Sequence, residues 1–318
     1  MAGPGATSGD VPGLIEKADR LLSQLERLLP PAAPQTDWSA HAFRWKRVPG
    51  REGYLQAVTH FARITVADLK NVGDQADIVL RNTGQFVRGL PANNILLTGA
   101  RGTGKSSLVR AMLHAYADQG LRLVEVEKTE LVDLPDIVSQ LAQRPERFIV
   151  FSDDLSFEAD DPGYKVLKST LDGSLASTGP NVLVYATSNR RHLMPEYMAD
   201  NLQAKHLDSG EIHPGESVEE RISLSERFGL WVSFHPFTQD DYLRAVQHWL
   251  WALGGEPADM GEGLMQQARA HALRFTLERG SRSGRVAQQF ARHWTGLRGM
   301  SQAHESDVAT GESGSSSR

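Results

Sequence analysis

The sequence of 318 residues contains no cysteine, which excludes disulfide bonds, cysteine-ligated zinc, iron–sulfur clusters and thiol catalysis. It has no apolar run near the roughly 18 residues that span a bilayer, and its start lacks the basic and apolar parts of a signal peptide. Neither charge dominates, since 34 Lys and Arg oppose 39 Asp and Glu. These absences favour a cytoplasmic globular protein of about two domains, without a membrane partner.

Both ends of the chain are poor in residues that can be buried. Residues 1–12 are rich in Gly, Pro, Ala and Ser, and residues 300–318 are mostly small or polar, so both are predicted to be disordered. Between 13 and 30, leucine and isoleucine recur every three or four residues, which predicts an amphipathic helix. We favour a helix folded onto its own body over a coiled-coil handle, because two heptads are too few for the latter.

Residues 31–64 are interpreted as a linker followed by an N-terminal adaptor segment. Within the stretch 38–70, aromatic residues alternate with arginine and lysine. Such a mixture is typical of a surface that stacks single-stranded nucleic acid, or of a small packed subdomain with a solvated rim. The second interpretation is favoured.

From 65 to 236 short β-rich runs alternate with helical ones. The predicted strands are 94–98, 121–126, 147–152, 181–187 and 230–234, and the predicted helices between them are 104–118, 134–143, 163–175 and 217–227. Apolar runs without polar alternation suit parallel strands covered on both faces. We therefore expect an α/β fold with a five-stranded parallel sheet, followed over 237–299 by an all-helical lid with helices at 239–253, 259–279 and 284–297.

The string GARGTGKSS, residues 99–107, has the spacing G-x-x-x-x-G-K-[ST] between a predicted strand and a predicted helix. In this pattern backbone amides and the helix N-terminus hold phosphates. Lys105 would reach the β- and γ-phosphates and Ser106 would ligate Mg²⁺. The predicted nucleotide-binding residues of this loop are Gly99, Ala100, Arg101, Gly102, Thr103, Gly104, Lys105, Ser106 and Ser107.

Two carboxylates follow the apolar strand 147–152. Asp153, at the end of a strand beside the phosphate loop, is predicted to hold Mg²⁺ together with Ser106. The adjacent Asp154 is predicted to orient or deprotonate the attacking water. An aspartate-rich turn is the structural alternative.

Three further polar residues lie at or near the ends of predicted strands or helices. Asn189 can contact the water or the γ-phosphate, or can cap a helix. Arg227 is predicted to reach a neighbouring subunit's γ-phosphate, against the alternative of a surface ion pair with Glu219 or Glu220. In the lid, Arg285 is predicted to reach back to the nucleotide, with Arg282 as the rival position.

Taken in order, GARGTGKS, FIVFSDD, YATSNR, SERFG and SGRVA over roughly 65–298 resemble the AAA+ ATPase family. The longer strings LPANNILLTGARGTGKSSLVRA and LSERFGLWVSF resemble an uncharacterised bacterial family of AAA+ ATP-binding proteins, described only by a domain of unknown function and distantly similar to DnaA- and DnaC-type loaders. The resemblance implies Walker A at 99–106, Walker B at 148–154, sensor 1 at Asn189, an arginine finger at Arg227, sensor 2 at Arg285, and adenine contacts from Val72 and Gly73.

The resemblance implies an ATPase that couples MgATP binding and hydrolysis to remodelling or loading of a protein or protein–nucleic acid partner. It implies a homo-oligomer with the arginine finger acting in trans, and it leaves the client and direct nucleic-acid contact open. Asp154 stands where the family usually has glutamate, so a slow or inactive ATP-gated switch is the alternative. Residues 127–133 lack the aromatic and glycine of a polypeptide-threading loop, and no acceptor-binding motif of a small-molecule kinase is present.

Overall fold

The computed structural model describes residues 13, 15–21, 34–47, 50, 52–61, 63–157, 161–172, 179–189, 193, 205–206, 212–213, 224–254 and 262–312. Residues 15–21 are helical, as the heptad spacing predicts. Most of the predicted helix 13–30, the segment 1–12 and most of the predicted helix 217–227 lie outside the described residues.

Within the described residues, seven strands form one sheet in the order β2-β1-β4-β5-β6-β3-β9. The strands of this sheet are β1 Ala42–Lys46, β2 Tyr54–Ala57, β3 Ile95–Gly99, β4 Leu121–Glu125, β5 Arg147–Ser152, β6 Val182–Ser188 and β9 Leu230–Phe234. Two short strands, β7 Lys205–His206 and β8 Ile212–His213, pair with each other in a separate antiparallel ribbon.

The five predicted strands β3, β4, β5, β6 and β9 are present, and every pairing among them is parallel. Their side chains alternate between two hydrophobic clusters, one on each face of the sheet. On β5, for example, Ile149 and Phe151 pack on one face, and Phe148 and Val150 on the other. A continuous apolar run is therefore required, because both faces are covered.

Strands β1 and β2 differ from the sequence prediction, which assigned their residues to a separate adaptor or subdomain. β1 pairs in parallel with β4, and β2 pairs antiparallel with β1 at the edge of the sheet. Phe43, Trp45 and Leu55 are about 1% exposed within the same hydrophobic cluster as the central strands. The pairing with β4 joins residues about 80 positions apart, and no local pattern of the sequence specifies such a contact.

Helices cover both faces of the sheet, and three more form the lid. They are α1 Gly73–Val87, α2 Lys105–Tyr116, α3 Leu134–Ala142, α4 Pro162–Leu171, α5 Gln239–Gly254, α6 Glu262–Arg279 and α7 Gly284–Glu312. Short 3-10 helices occupy Val66–Asp68, Ala117–Gln119 and Lys128–Asp133. The predicted fold class, a parallel α/β core followed by an all-helical lid, is confirmed.

The last helix is longer than the sequence predicted. Residues 301–312 continue α7, whereas the sequence analysis assigned a disordered tail from residue 300. No proline interrupts this stretch, and a helix satisfies its backbone hydrogen bonds internally, so its backbone does not require burial. Among the described residues, no helix combines the length and the apolarity needed to cross a membrane.

Candidate nucleotide-binding site

The loop between β3 and α2 is held against two parts of the fold by its glycines. Gly99 has φ 133°, and a Cβ atom there would lie 2.1 Å from the carbonyl oxygen of Phe234 on the neighbouring strand. Gly102 has φ 76°, and its Cβ would lie 2.6 Å from Ser283 Oγ, while its carbonyl accepts a hydrogen bond from Gly284 N at 3.0 Å. The loop therefore contacts both the edge strand and the start of the last lid helix, and glycine is required at each contact.

Lys105 is only 5% exposed and its ammonium group is aimed into the loop. Nζ donates to the carbonyl oxygens of Gly99 at 2.6 Å and Ala100 at 2.8 Å, and to Asn189 Oδ1 at 3.0 Å. The predicted loop lysine and the predicted sensor asparagine are thus in direct contact, although they are 84 positions apart.

Burial lowers the pKa of Lys105 from 10.5 to about 8, because removal from water penalises the charged ammonium. Asp153 and Asp154 oppose this effect, and the positive charges of Arg101 and Arg285 add to it. An anion bound at the loop would also favour the charged ammonium, because a nearby negative charge raises the pKa of a lysine.

Asp153, the first residue after β5, is contacted by two hydroxyl groups. Ser106 Oγ donates to Asp153 Oδ1 at 2.6 Å, and Thr187 Oγ1 donates to the same oxygen at 2.5 Å. The predicted pair of Mg²⁺ ligands, Ser106 and Asp153, is therefore brought together. Thr187 was not predicted as a site residue, although it lies in the strand that ends near Asn189.

Asp154 has a left-handed backbone with φ 55°, which is uncommon for a residue other than glycine. Its backbone N–H donates to Thr187 Oγ1 at 2.9 Å. One carboxylate oxygen accepts from Asn189 Nδ2, and the other lies 3.5 Å from Arg101 Nη2. The strained backbone thus turns the side chain of Asp154 toward the phosphate loop and Asn189.

These residues line a cleft of about 450 Å³ between the core and the lid. The side chains Lys70, Arg101, Lys105, Arg110 and Arg285 bring positive charge to it, and Asp68, Asp153 and Asp154 bring negative charge. Apolar side chains also line the cleft, among them Ile64, Leu69, Ala245 and Trp249. A cleft with a cationic part and an apolar part suits a ligand that joins phosphates to a flat ring.

The apolar wall combines a core segment with a lid helix. His248 Nε2 on α5 lies 3.3 Å from Asp68 Oδ1, which joins the helix to the 3-10 turn of the core. Trp249 follows His248, and Leu69 follows Asp68, so both line the cleft beside this contact. Sequence reasoning missed these residues, because no motif links lid and core positions about 180 residues apart.

The predicted adenine contacts, Val72 and Gly73, are placed differently. Val72 is 2% exposed, belongs to the hydrophobic core and precedes α1, and neither residue is among those lining the cleft. The cleft wall is formed by the segment just before them, including Ile64 and Leu69. The physical reason is the burial of the Val72 side chain beneath the loop, where Gly104 lies near its Cγ1 atom.

The two predicted functional arginines have different surroundings. Arg285, in the first turn of α7, lines the cleft, whereas its rival Arg282 lines a separate groove with Ala100 and Leu277. Arg227 Nε donates to Asp172 Oδ1 at the end of α4 and is not among the residues lining the cleft. The partners proposed from sequence for a surface pair, Glu219 and Glu220, lie outside the described residues.

Three residues of the basic and aromatic N-terminal stretch, Phe43, Arg44 and Trp45, have partners within the fold. Phe43 and Trp45 are buried, so neither ring can stack on a nucleobase. Trp45 Nε1 donates to Asp133 Oδ2 at 3.0 Å, and Arg44 pairs with Glu125 at 2.9 Å. Packing and ion pairing within the fold therefore account for these three side chains.

In the part of the chain that the structure describes, no group of three or more His, Asp or Glu residues converges as a metal site would. Ser106 and Asp153 are the residues that would hold a divalent ion at the cleft, because their oxygens lie 2.6 Å apart and are the hard ligands that Mg²⁺ prefers.

A family model described as "Protein of unknown function (DUF815)" matches residues 38–298. The chain belongs to this family. The matched range begins before β1 and ends within α7, so it includes the strands β1 and β2, the loop 99–107 and most of the lid.

Two solved structures illustrate what this family member is similar to. One is the Thermotoga maritima RuvB Holliday junction branch migration motor, at 13% identity over 72% of each chain with TM-score 0.38. The other is the Aeropyrum pernix ORC1 protein in complex with DNA, at 15% identity over 69% of this chain and 58% of that chain, with TM-score 0.44. No curated protein matches the sequence significantly.

Proposed function

We propose that this protein binds MgATP in the cleft between core and lid and hydrolyses it. The observation that carries the proposal is the meeting of three separate motifs at one point. Lys105 contacts Asn189, Asn189 contacts Asp154, and Ser106 contacts Asp153. These residues come from two strand ends and one helix start, and phosphoryl transfer requires this combination of cation, hydroxyl and carboxylates.

In the proposed complex the phosphates bind at the loop amides, at the N-terminus of α2 and at Lys105. Arg285 adds a positive charge from the lid. The base lies against the apolar wall that contains Leu69 and Trp249, since aromatic faces stack well on nucleobases. Ser106 and Asp153 would hold Mg²⁺, which would offset the negative charge of the phosphates.

For hydrolysis, Asp154 and Asn189 position a water molecule beside the γ-phosphate. The water oxygen forms a bond to the γ-phosphorus, and the bond from that phosphorus to the bridging oxygen of the β-phosphate breaks. ADP leaves with the electron pair, and the water proton passes through Asp154 to the phosphate product or to solvent. Atoms and charge balance without another reactant.

We further propose that nucleotide state is coupled to assembly and to a partner. The lid contacts the phosphate loop through a hydrogen bond from Gly284 to Gly102. We therefore expect binding of a ligand at the loop to change the position of the lid. Arg227, whose side chain is 24% exposed and pairs with Asp172, is the residue that we propose to act in trans in a homo-oligomer. Remodelling or loading of a protein or protein–nucleic acid client in the cytoplasm is the function we infer from such coupling.

The test is a calorimetric titration with MgATP, followed by a phosphate-release assay. We expect heat of binding for the wild type and for Asp154→Asn, and little or none for Lys105→Ala. Turnover of Asp154→Asn should fall by about 100-fold or more, the usual contribution of a general base. Asp118→Asn is the matched control, because Asp118 is an exposed aspartate that is not among the cleft residues.

Absence of binding heat in the wild type contradicts the proposed function. Normal turnover of Asp154→Asn contradicts the role of that residue alone. Tight binding with turnover near background in the wild type favours an ATP-gated switch. The contacts to both oxygens of Asp154 make that second candidate specific, because Asn189 and Arg101 compete with a water molecule for the carboxylate.

A further inference from the structure

Asp154 is restrained by a residue of the phosphate loop itself. Arg101 Nη2 lies 3.5 Å from Asp154 Oδ2, and Asn189 Nδ2 donates to the other carboxylate oxygen. Asn189 also accepts from Lys105, so a chain of polar contacts runs from Lys105 to Arg101 across the mouth of the loop. The carboxylate that the proposed reaction requires is thus engaged by donors at both oxygens.

The two contacts differ in how easily they open. Arg101 is 78% exposed and Asp154 is 54% exposed, so water and salt screen this pair strongly. Exposed ion pairs are worth about 0.2 to 1 kcal/mol. The Arg101 contact is therefore strong enough to bias the position of Asp154 and weak enough to be broken by another charge.

We propose that Arg101 is a positioning residue that restrains hydrolysis by competing with water for Asp154. The inference rests on the proposed function, because it assigns a regulator to the same site. The exposure of Arg101 indicates what relieves the restraint: an acidic side chain of a bound partner, which can pair with the guanidinium from outside the cleft.

The experiment compares the wild type with Arg101→Gln in steady-state hydrolysis, after calorimetry has measured MgATP affinity in both. Removal of the ion pair should raise kcat about 1.4- to 5-fold, the ratio that corresponds to about 0.2 to 1 kcal/mol, with KM and Kd changed less than about twofold. Raising the salt concentration should increase kcat of the wild type toward that of Arg101→Gln and leave the variant unaffected. In an Asp154→Asn background, Arg101→Gln should bring no acceleration.

Arg81→Gln is the matched control, because it removes an exposed guanidinium from α1, away from the cleft. Wild-type protein that binds no MgATP overturns the proposed function and this inference together. Binding with an unchanged or lower kcat in Arg101→Gln overturns the inference alone, and weaker binding in that variant assigns Arg101 to the phosphates. Acceleration that persists without Asp154 also refutes it.

Discussion

We expect the proposed binding of MgATP to depend on pH, because the lysine of the phosphate loop is buried. Burial lowers the pKa of Lys105 to about 8, far below that of an exposed lysine. A phosphate group favours the charged ammonium, so binding is expected to draw on the protonated form and to raise the pKa in the complex. Affinity should therefore fall as the pH rises through about 8.

The size of the effect follows from the charged fraction of the free protein. With a pKa of about 8, roughly nine tenths of Lys105 is protonated at pH 7 and roughly one tenth at pH 9. The apparent Kd for MgATP should thus rise about tenfold over this range. The triphosphate does not contribute, since phosphate groups with a pKa near 6 are ionised throughout.

The assay is calorimetric titration at intervals between pH 7 and pH 9 at constant ionic strength. Lys105→Arg is the matched control, because a guanidinium keeps its charge over the whole range. Whatever its affinity at pH 7, this variant should show a flat Kd. A flat profile in the wild type, or an equal rise in Lys105→Arg, would refute the assignment of Lys105 as a desolvated phosphate ligand.

Two further predictions concern the subunit interface and the base. Arg227→Ala should keep MgATP affinity and lose the rise in turnover that assembly is proposed to produce at higher protein concentration. Asp172→Asn, which removes the charge of the partner of Arg227 within the chain, should keep that rise. Equal losses in both variants would make the role of Arg227 structural. Trp249→Ala should weaken MgATP binding about 2- to 12-fold, as expected for an aromatic contact worth about 0.5 to 1.5 kcal/mol, and should leave tripolyphosphate affinity unchanged. Trp251→Ala, on the same helix outside the cleft, is its control, and an equal effect on both ligands would contradict base stacking.

Local patterns of the sequence predicted much of the fold. The strand 147–152 and the strand 230–234 were predicted to the residue, because an uninterrupted apolar run bounded by polar residues admits few other conformations. The loop around Lys105 could be predicted equally well, because its glycines form one short pattern that lies between a predicted strand and a predicted helix.

Strands β1 and β2 were not predicted as part of the sheet, because their pairing depends on β4, far away in the chain. Trp45 illustrates the difficulty, since a tryptophan among basic residues suits a nucleic-acid surface and a buried edge strand equally well. Its contact with Asp133 decides between them, and that contact exists only in the folded chain.

By itself the sequence determined which residue types lie at the ends of successive strands, because backbone propensity and hydrophobic period act over a few residues. Tertiary structure decided which of those ends are neighbours. Placing β6 between β5 and β3 brings Asn189 to both Lys105 and Asp154. It also decided the burial that lowers the pKa of Lys105, and the meeting of Trp249 with the core, since desolvation and packing depend on atoms distant in sequence.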